Sequence, residues 1–176
     1  MVKNIKNIKE TYSSNSAFFI DTNILVFLHG GFTYTSKHLL YKINKNSDFI
    51  QKLIRYKCKL YVSALNVQEV FHAMESMHYS EYCRKNGECS KKQYRSYVNE
   101  RNFLSYVHKS IWAQLSVYEI IEETVNESKI SKFIDSYKRH QYEPIDFFVS
   151  MHAPMNVITD DKDFTKDSNI TVYTFM

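Results

Sequence analysis

Three observations make this chain an α/β protein built around a mainly parallel sheet. Short apolar runs recur along the sequence, stretches of helical period separate them, and no Asn-Gly turn joins one strand-like run to the next. The stretch Ala17–Leu28 organises the rest: the run AFFI stops at Asp21, Thr22 and Asn23 follow, and apolar residues resume at once. Ala17–Ile20 suits a strand buried on both faces and Ile24–Leu28 the start of a helix packed back on it, which sets Asp21 at the carboxyl end of a central strand. In open α/β sheets ligands bind at that edge, near the point where the strand order reverses. The simpler role for Asp21 is a helix cap, since Asp, Thr and Asn are all good N-cap residues. What separates the two roles is how many other carboxylates occupy equivalent places.

The remaining elements follow in chain order. Residues 1–16 are polar and repeat Lys-Asn-Ile, and are expected to form a flexible N-terminal extension ahead of a single domain over 17–176. Gly30-Gly31 ends the first helix. Ser36–Tyr56 has apolar residues at helical spacing and predicts one or two helices, with a break near Asn44–Ser47. Lys59–Ala64 reads as a second buried strand. The helix after it places Val67, Val70, Phe71 and Met74 on one face, with Glu69 in its second turn. Alone, Glu69 is an ordinary surface residue; its position just beyond a buried strand argues for more. After Gly87 the helical period resumes over Ser90–Leu115, part of a helical insertion around 84–116. Val117–Ile121 predicts a third strand, and Asn126–His140 a helix burying Ile130, Phe133, Ile134 and Tyr137. Pro144 suits the first turn of a further helix whose apolar run is interrupted by Asp146. A carboxylate there is costly to bury unless it is paired, hydrogen-bonded or bound to a cation. Val157–Thr159 predicts a fourth strand running into Asp160, Asp161, Lys162 and Asp163, and Ile170–Phe175 a final strand that closes the sheet.

Composition narrows the class. A hydrophobic share of 44% with 24% charged residues is ordinary for a globular domain, and 176 residues bury a full core without disulfide or metal staples. Cys58, Cys83 and Cys89 form no C-x-x-C pair, and with His72 and His78 they match no zinc-ligand spacing, so they read as reduced thiols. No apolar signal core or bilayer-length run is present, so the expected location is cytoplasmic, away from membranes. The net charge of +4 permits nucleic-acid binding without requiring it. Its distribution says more: Arg84–Lys109 holds seven basic residues against Glu88 and Glu100, interleaved with Tyr94, Tyr97 and Tyr106. That pattern fits either a solvated helix face or a surface that tracks phosphates while its tyrosines stack on bases.

Asp21, Glu69, Asp146 and the Asp160–Asp163 cluster all fall at strand ends or helix starts, places a parallel sheet can bring to one edge. Two unit charges about 4 Å apart interact by roughly 4 kcal/mol at an effective dielectric near 20, so four carboxylates in one cleft cannot all stay ionised alone. Either their pKa values rise or a hard divalent cation binds. Oxygen donors favour Mg²⁺ or Mn²⁺ over zinc, and phosphodiester hydrolysis is the chemistry that best uses such a site.

The order FIDTN at Phe19–Asn23, SALNVQE ending in Glu69, Asp146 opening an apolar helix, and ITDDKDF at Ile158–Phe164 resembles the PIN-domain nuclease family over nearly the whole chain. The resemblance implies a three-layer α/β/α fold with about five parallel strands, Mg²⁺ or Mn²⁺ at the acidic cluster, and single-stranded RNA as substrate of an endoribonuclease. Matched motif by motif, Asp21, Glu69, Asp146 and Asp161 are the catalytic and metal-binding acids, with Asp163 as an auxiliary and Asp160 an extra acid. Thr22, Asn23 and Thr159 would orient carboxylates or water, while Lys91, Lys92, Arg95 and Arg101 would guide RNA. The resemblance extends to VapC-like toxins, which leaves open an antitoxin partner, a homodimer, or a free-standing processing nuclease, because the chain is longer than small toxins between Glu69 and the third strand. The rival class is a PIN-like module that binds RNA or protein without cutting.

Overall fold

The computed structural model describes residues 2–4, 12–29, 37–122, 126–137, 156–162, 164 and 170–174. Its elements are β1 (Val2–Asn4), β2 (Ala17–Ile20), α1 (Thr22–His29), α2 (Lys37–Arg55), β3 (Lys59–Ser63) and α3 (Ala64–Asn86). They continue with α4 (Lys91–Ser96), α5 (Val98–Leu115), β4 (Glu119–Ile121), α6 (Glu127–Tyr137), β5 (Asn156–Ile158) and β6 (Thr171–Thr174).

All six strands pair in parallel, in the order β1-β6-β5-β2-β3-β4. Strand β2 is central: the chain steps from it to β3 and β4 on one side, then crosses back to β5 and β6 on the other. The strand order therefore reverses between β2 and β5, where Phe19 is level with Val157 and Ile20 with Ile158. The α/β class with its parallel sheet is as the sequence predicts. One element differs: Val2–Asn4, within the stretch expected to be a flexible extension, pairs with β6 as an edge strand, so β6 does not close the sheet.

Alternation along each strand divides the core in two. Phe18 and Ile20 of β2, Leu60 and Val62 of β3, Ile158 of β5 and Tyr173 of β6 face the larger cluster. There they meet Ile24 and Leu25 of α1, Phe49 and Leu53 of α2, Val70 and Met74 of α3, and Ile111 and Leu115 of α5. Phe19, Val157 and Val172 point the other way and pack with Phe164 and Ile170. Both faces of the central strands are thus dry, which is why β2 is apolar without alternation. Burying one such side chain stabilises the fold by about 1.5–3 kcal/mol, so reversing the register of β2 is heavily disfavoured.

The helices refine the sequence expectations. Helix α2 runs unbroken through Asn44–Ser47, because Asn46 is buried and its side-chain amide donates to the Lys42 carbonyl at 3.0 Å. Ser63 caps α3 in a reciprocal box with Asn66. The long helical stretch after Gly87 is two helices, parted at Tyr97, which takes an extended conformation. Helix α6 lies where its periodicity places it, yet Ile130 and Ile134 are exposed rather than buried. Among the described residues no helix is long and apolar enough to cross a membrane.

Candidate active site

The reversal between β2 and β5 opens a cleft of about 370 Å³ at the carboxyl edge of the sheet. Asp21, Thr22 and Asn23 from the β2–α1 junction form its floor, Glu69, His72 and Ala73 of α3 one wall, and Asp161 beyond β5 the other. Three of the acids singled out in the sequence therefore share one cleft. Asp146 and Asp163 lie outside the described residues.

Asp21 is 5% exposed, and its bonds show that its carboxylate is no helix cap. A capping side chain accepts from the second or third helical amide. Here Oδ1 accepts from the Thr22 amide at 2.7 Å, while Oδ2 accepts from the Asn23 side chain at 2.7 Å and the Thr159 hydroxyl at 2.6 Å. The capping work falls to its backbone carbonyl, which accepts from Ile24 and Leu25. Burial pushes Asp21 up to about 6, against the hydrogen bonds from Thr159 and Thr22, and the charges of Asp161 and Glu69 push in the same direction as burial.

Thr159 is the hinge between the two sides of the cleft. Its hydroxyl donates to Asp21 and accepts from the Asp161 amide at 2.8 Å and the Asn23 amide group at 3.1 Å. The side-chain Oδ1 of Asn23 in turn accepts from the Asp160 backbone amide at 3.3 Å. On the opposite wall Asn66 donates to the Thr22 hydroxyl at 2.6 Å, and that hydroxyl donates to Glu69 at 2.5 Å. Thr22, Asn23 and Thr159 thus each hydrogen-bond a carboxylate.

The adjacent acids after β5 divide by direction. Asp160 pairs with Lys42 of α2 at 2.9 Å and accepts from the Thr174 hydroxyl at 3.2 Å, which directs it toward α2 and β6. Asp161 is the neighbour that lines the cleft. Asn66 and His72 also belong to the site; Asn66 is not singled out in the sequence, and His72 is considered there only as a zinc ligand. Each is three residues from Glu69 on α3, so the i±3 spacing that puts side chains on one helix face was the available signal.

The basic stretch is less free than its composition implies. Arg95 makes a two-pronged pair with Glu75 at 2.5 and 2.6 Å, and Lys91 donates to Ser76 at 2.9 Å. Lys92 and Arg101 are exposed. The Ser76 that holds Lys91 is one turn beyond His72 on α3.

An all-oxygen donor set suits a hard cation such as Mg²⁺ or Mn²⁺. Among the described residues, however, no three His, Cys, Asp or Glu side chains gather closely enough to hold one ion. Asp21, Glu69 and Asp161 alone do not make a closed cage.

No family model matches the sequence, and no curated protein does. Among solved structures, the chain is similar to VapBC2 from Rickettsia felis, crystallised bound to a DNA fragment from their promoter. The two share 14% identity over 91% of this chain and 99% of that chain, with a TM-score of 0.54. The likeness is one of fold: α/β, PIN-like, with helices on both sides of a parallel sheet.

Proposed function

We propose that this chain is a metal-dependent endoribonuclease that hydrolyses phosphodiester bonds of single-stranded RNA. The observation that supports it most is Asp21, buried at the strand-order reversal and sharing its cleft with Glu69 and Asp161. A buried aspartate facing two further acids is costly for folding alone, and a cation gives the arrangement a use. Mg²⁺ or Mn²⁺ would be held by Asp21, Glu69, Asp146 and Asp161, with Asp163 assisting, and would supply positive charge against the phosphate and a more acidic water.

The chain's own residues do the positioning. Thr159 and Asn23 fix the Oδ2 edge of Asp21, and Thr22, held by Asn66, fixes Glu69. Asp161 presents its carboxylate from a turn whose amide is tied to Thr159. His72 stands on the exposed wall of the cleft, where a phosphate oxygen would pass.

The fold likeness to a chain of VapBC2 supports a toxin and antitoxin setting, with an antitoxin protein as partner. The second reading is a non-catalytic module that binds RNA or protein. Cleavage of a labelled single-stranded RNA pool separates the two, with Mn²⁺ or a chelator and with wild type, Asp21→Asn and Asp146→Asn side by side. Metal-dependent cutting by wild type alone is expected. Absence of both cutting and Mn²⁺ binding in the wild type would establish the module.

A further inference from the structure

Away from the cleft, two thiols meet where α3 gives way to α4. The Sγ atoms of Cys83 and Cys89 are 4.0 Å apart, and both residues are partly exposed. Sequence spacing alone hides this pairing, since the residues form no C-x-x-C motif. The chain between them turns back at Gly87, whose φ of +91° is readily adopted only by glycine and whose amide closes the last turn of α3 onto the Cys83 carbonyl at 2.9 Å.

Cys89 is fixed from both sides. The Tyr79 hydroxyl of α3 donates to its carbonyl, and the next residue, Ser90, caps α4 in a reciprocal box with Gln93. Tyr79 also packs edge-on against Tyr94, which is fully buried. The two sulfurs are therefore held together by the packing of α4 on α3, and a disulfide near 2.05 Å needs them to close by only about 2 Å. Cys58 is the contrast: it is buried in the larger core cluster, and its thiol donates to the Ser13 carbonyl at 3.4 Å. A soft-metal site is the other use of paired thiols, but among the described residues no third His, Cys, Asp or Glu gathers with them.

We infer that Cys83 and Cys89 form a reversible intramolecular disulfide that pins the start of α4 to the end of α3, using a low-molecular-weight disulfide as oxidant. One protein thiolate attacks a sulfur of the oxidant, forming a mixed disulfide and expelling a thiolate. The second protein thiolate then attacks the protein sulfur of that mixed disulfide and expels the other half of the oxidant. The two cysteines lose two electrons and two protons in all, and one oxidant molecule leaves as two thiols. Burial and the neighbouring Cys83 hold the Cys89 thiol above its usual range, so closure is faster in mildly alkaline buffer.

The test is to incubate the folded full-length chain with oxidised glutathione, quench with acid, and count thiols after denaturation, with peptide mapping by mass. The three free thiols are expected to fall to one, with a single cross-linked peptide containing Cys83 and Cys89 that dithiothreitol opens. Cys89→Ser is expected to stop at the mixed disulfide and retain glutathione on Cys83. Three thiols remaining in the wild type, a persistent glutathione adduct there, or a link between two chains would each overturn the inference. None of these readouts depends on RNA cleavage.

Discussion

The cleft and the helical arm from α3 to α5 handle charge in opposite ways. In the cleft Asp21, Glu69 and Asp161 are brought together with their like charges facing, and the burial of Asp21 compounds the cost. In the arm, Arg95 closes on Glu75, while Arg84 and Lys85 share Glu81 on one helix face. Glu75 and Glu81 are accordingly held below the usual carboxylate range by the Arg95 and Arg84 hydrogen bonds. The lesson is that a run of charge becomes a binding feature only after its internal partners are subtracted. The arm is rich in cations but spends several on itself, whereas the described lining of the cleft brings three acids together.

The sharpest way to break the contrast is at Asp21. Asp21→Asn is expected to lower Mn²⁺-dependent RNA cleavage by about a thousandfold, equivalent to about 4 kcal/mol of lost transition-state stabilisation. Cleavage at the wild-type rate would remove the cleft from the reaction.

Next in size is the pH dependence of stability in chelator. With Asp21 raised from 3.8 to about 6, the folded state binds an extra proton between those values. The contribution of Asp21 to stability is therefore fully present below pH ~4 and is lost, by about 3 kcal/mol, as pH rises through 6. Denaturant melts of wild type and Asp21→Asn should diverge over that window, with the variant the more stable at neutral pH. Parallel curves would show that burial does not hold the Asp21 carboxyl above its usual range. Added Mn²⁺ should close the gap at neutral pH.

Asn66→Ala tests whether the wall is built or incidental. Losing the Asn66 half of the α3 capping box and the bond to Thr22 is expected to cost about 1–3 kcal/mol of stability. Cleavage should also fall about 10–100-fold, because Glu69 loses the hydroxyl chain that orients it. A stability loss with full cleavage would assign Asn66 to the fold alone.

The smallest effect separates free from partnered cations in the arm. Lys92→Gln with Arg101→Gln should reduce the salt slope of RNA binding by about 0.7 for each phosphate that a cation no longer neutralises. Arg95→Gln should leave the slope unchanged, since its guanidinium is engaged by Glu75. A drop on Arg95→Gln would mean that RNA competes that pair open.

Much of this was legible in the chain because the signals are local. The apolar run of β2 and its stop at Asp21 need only neighbouring residues to be read, and so does the helical period behind Glu69. What tertiary structure decided depends on partners far along the chain. Asp161 rather than Asp160 faces the cleft because Lys42, 118 residues away, claims Asp160. Arg95 is neutralised by a glutamate 20 residues earlier, and Val2–Asn4 becomes a strand only because β6 offers an open edge. The meeting of Cys83 with Cys89 likewise depends on a turn at Gly87 and on the docking of α4 against Tyr79. Sequence by itself determined which residues carry acid, apolar surface and helical period. The packing of distant segments decided which of those groups face each other, because charge pairing and strand pairing are settled by distance in space.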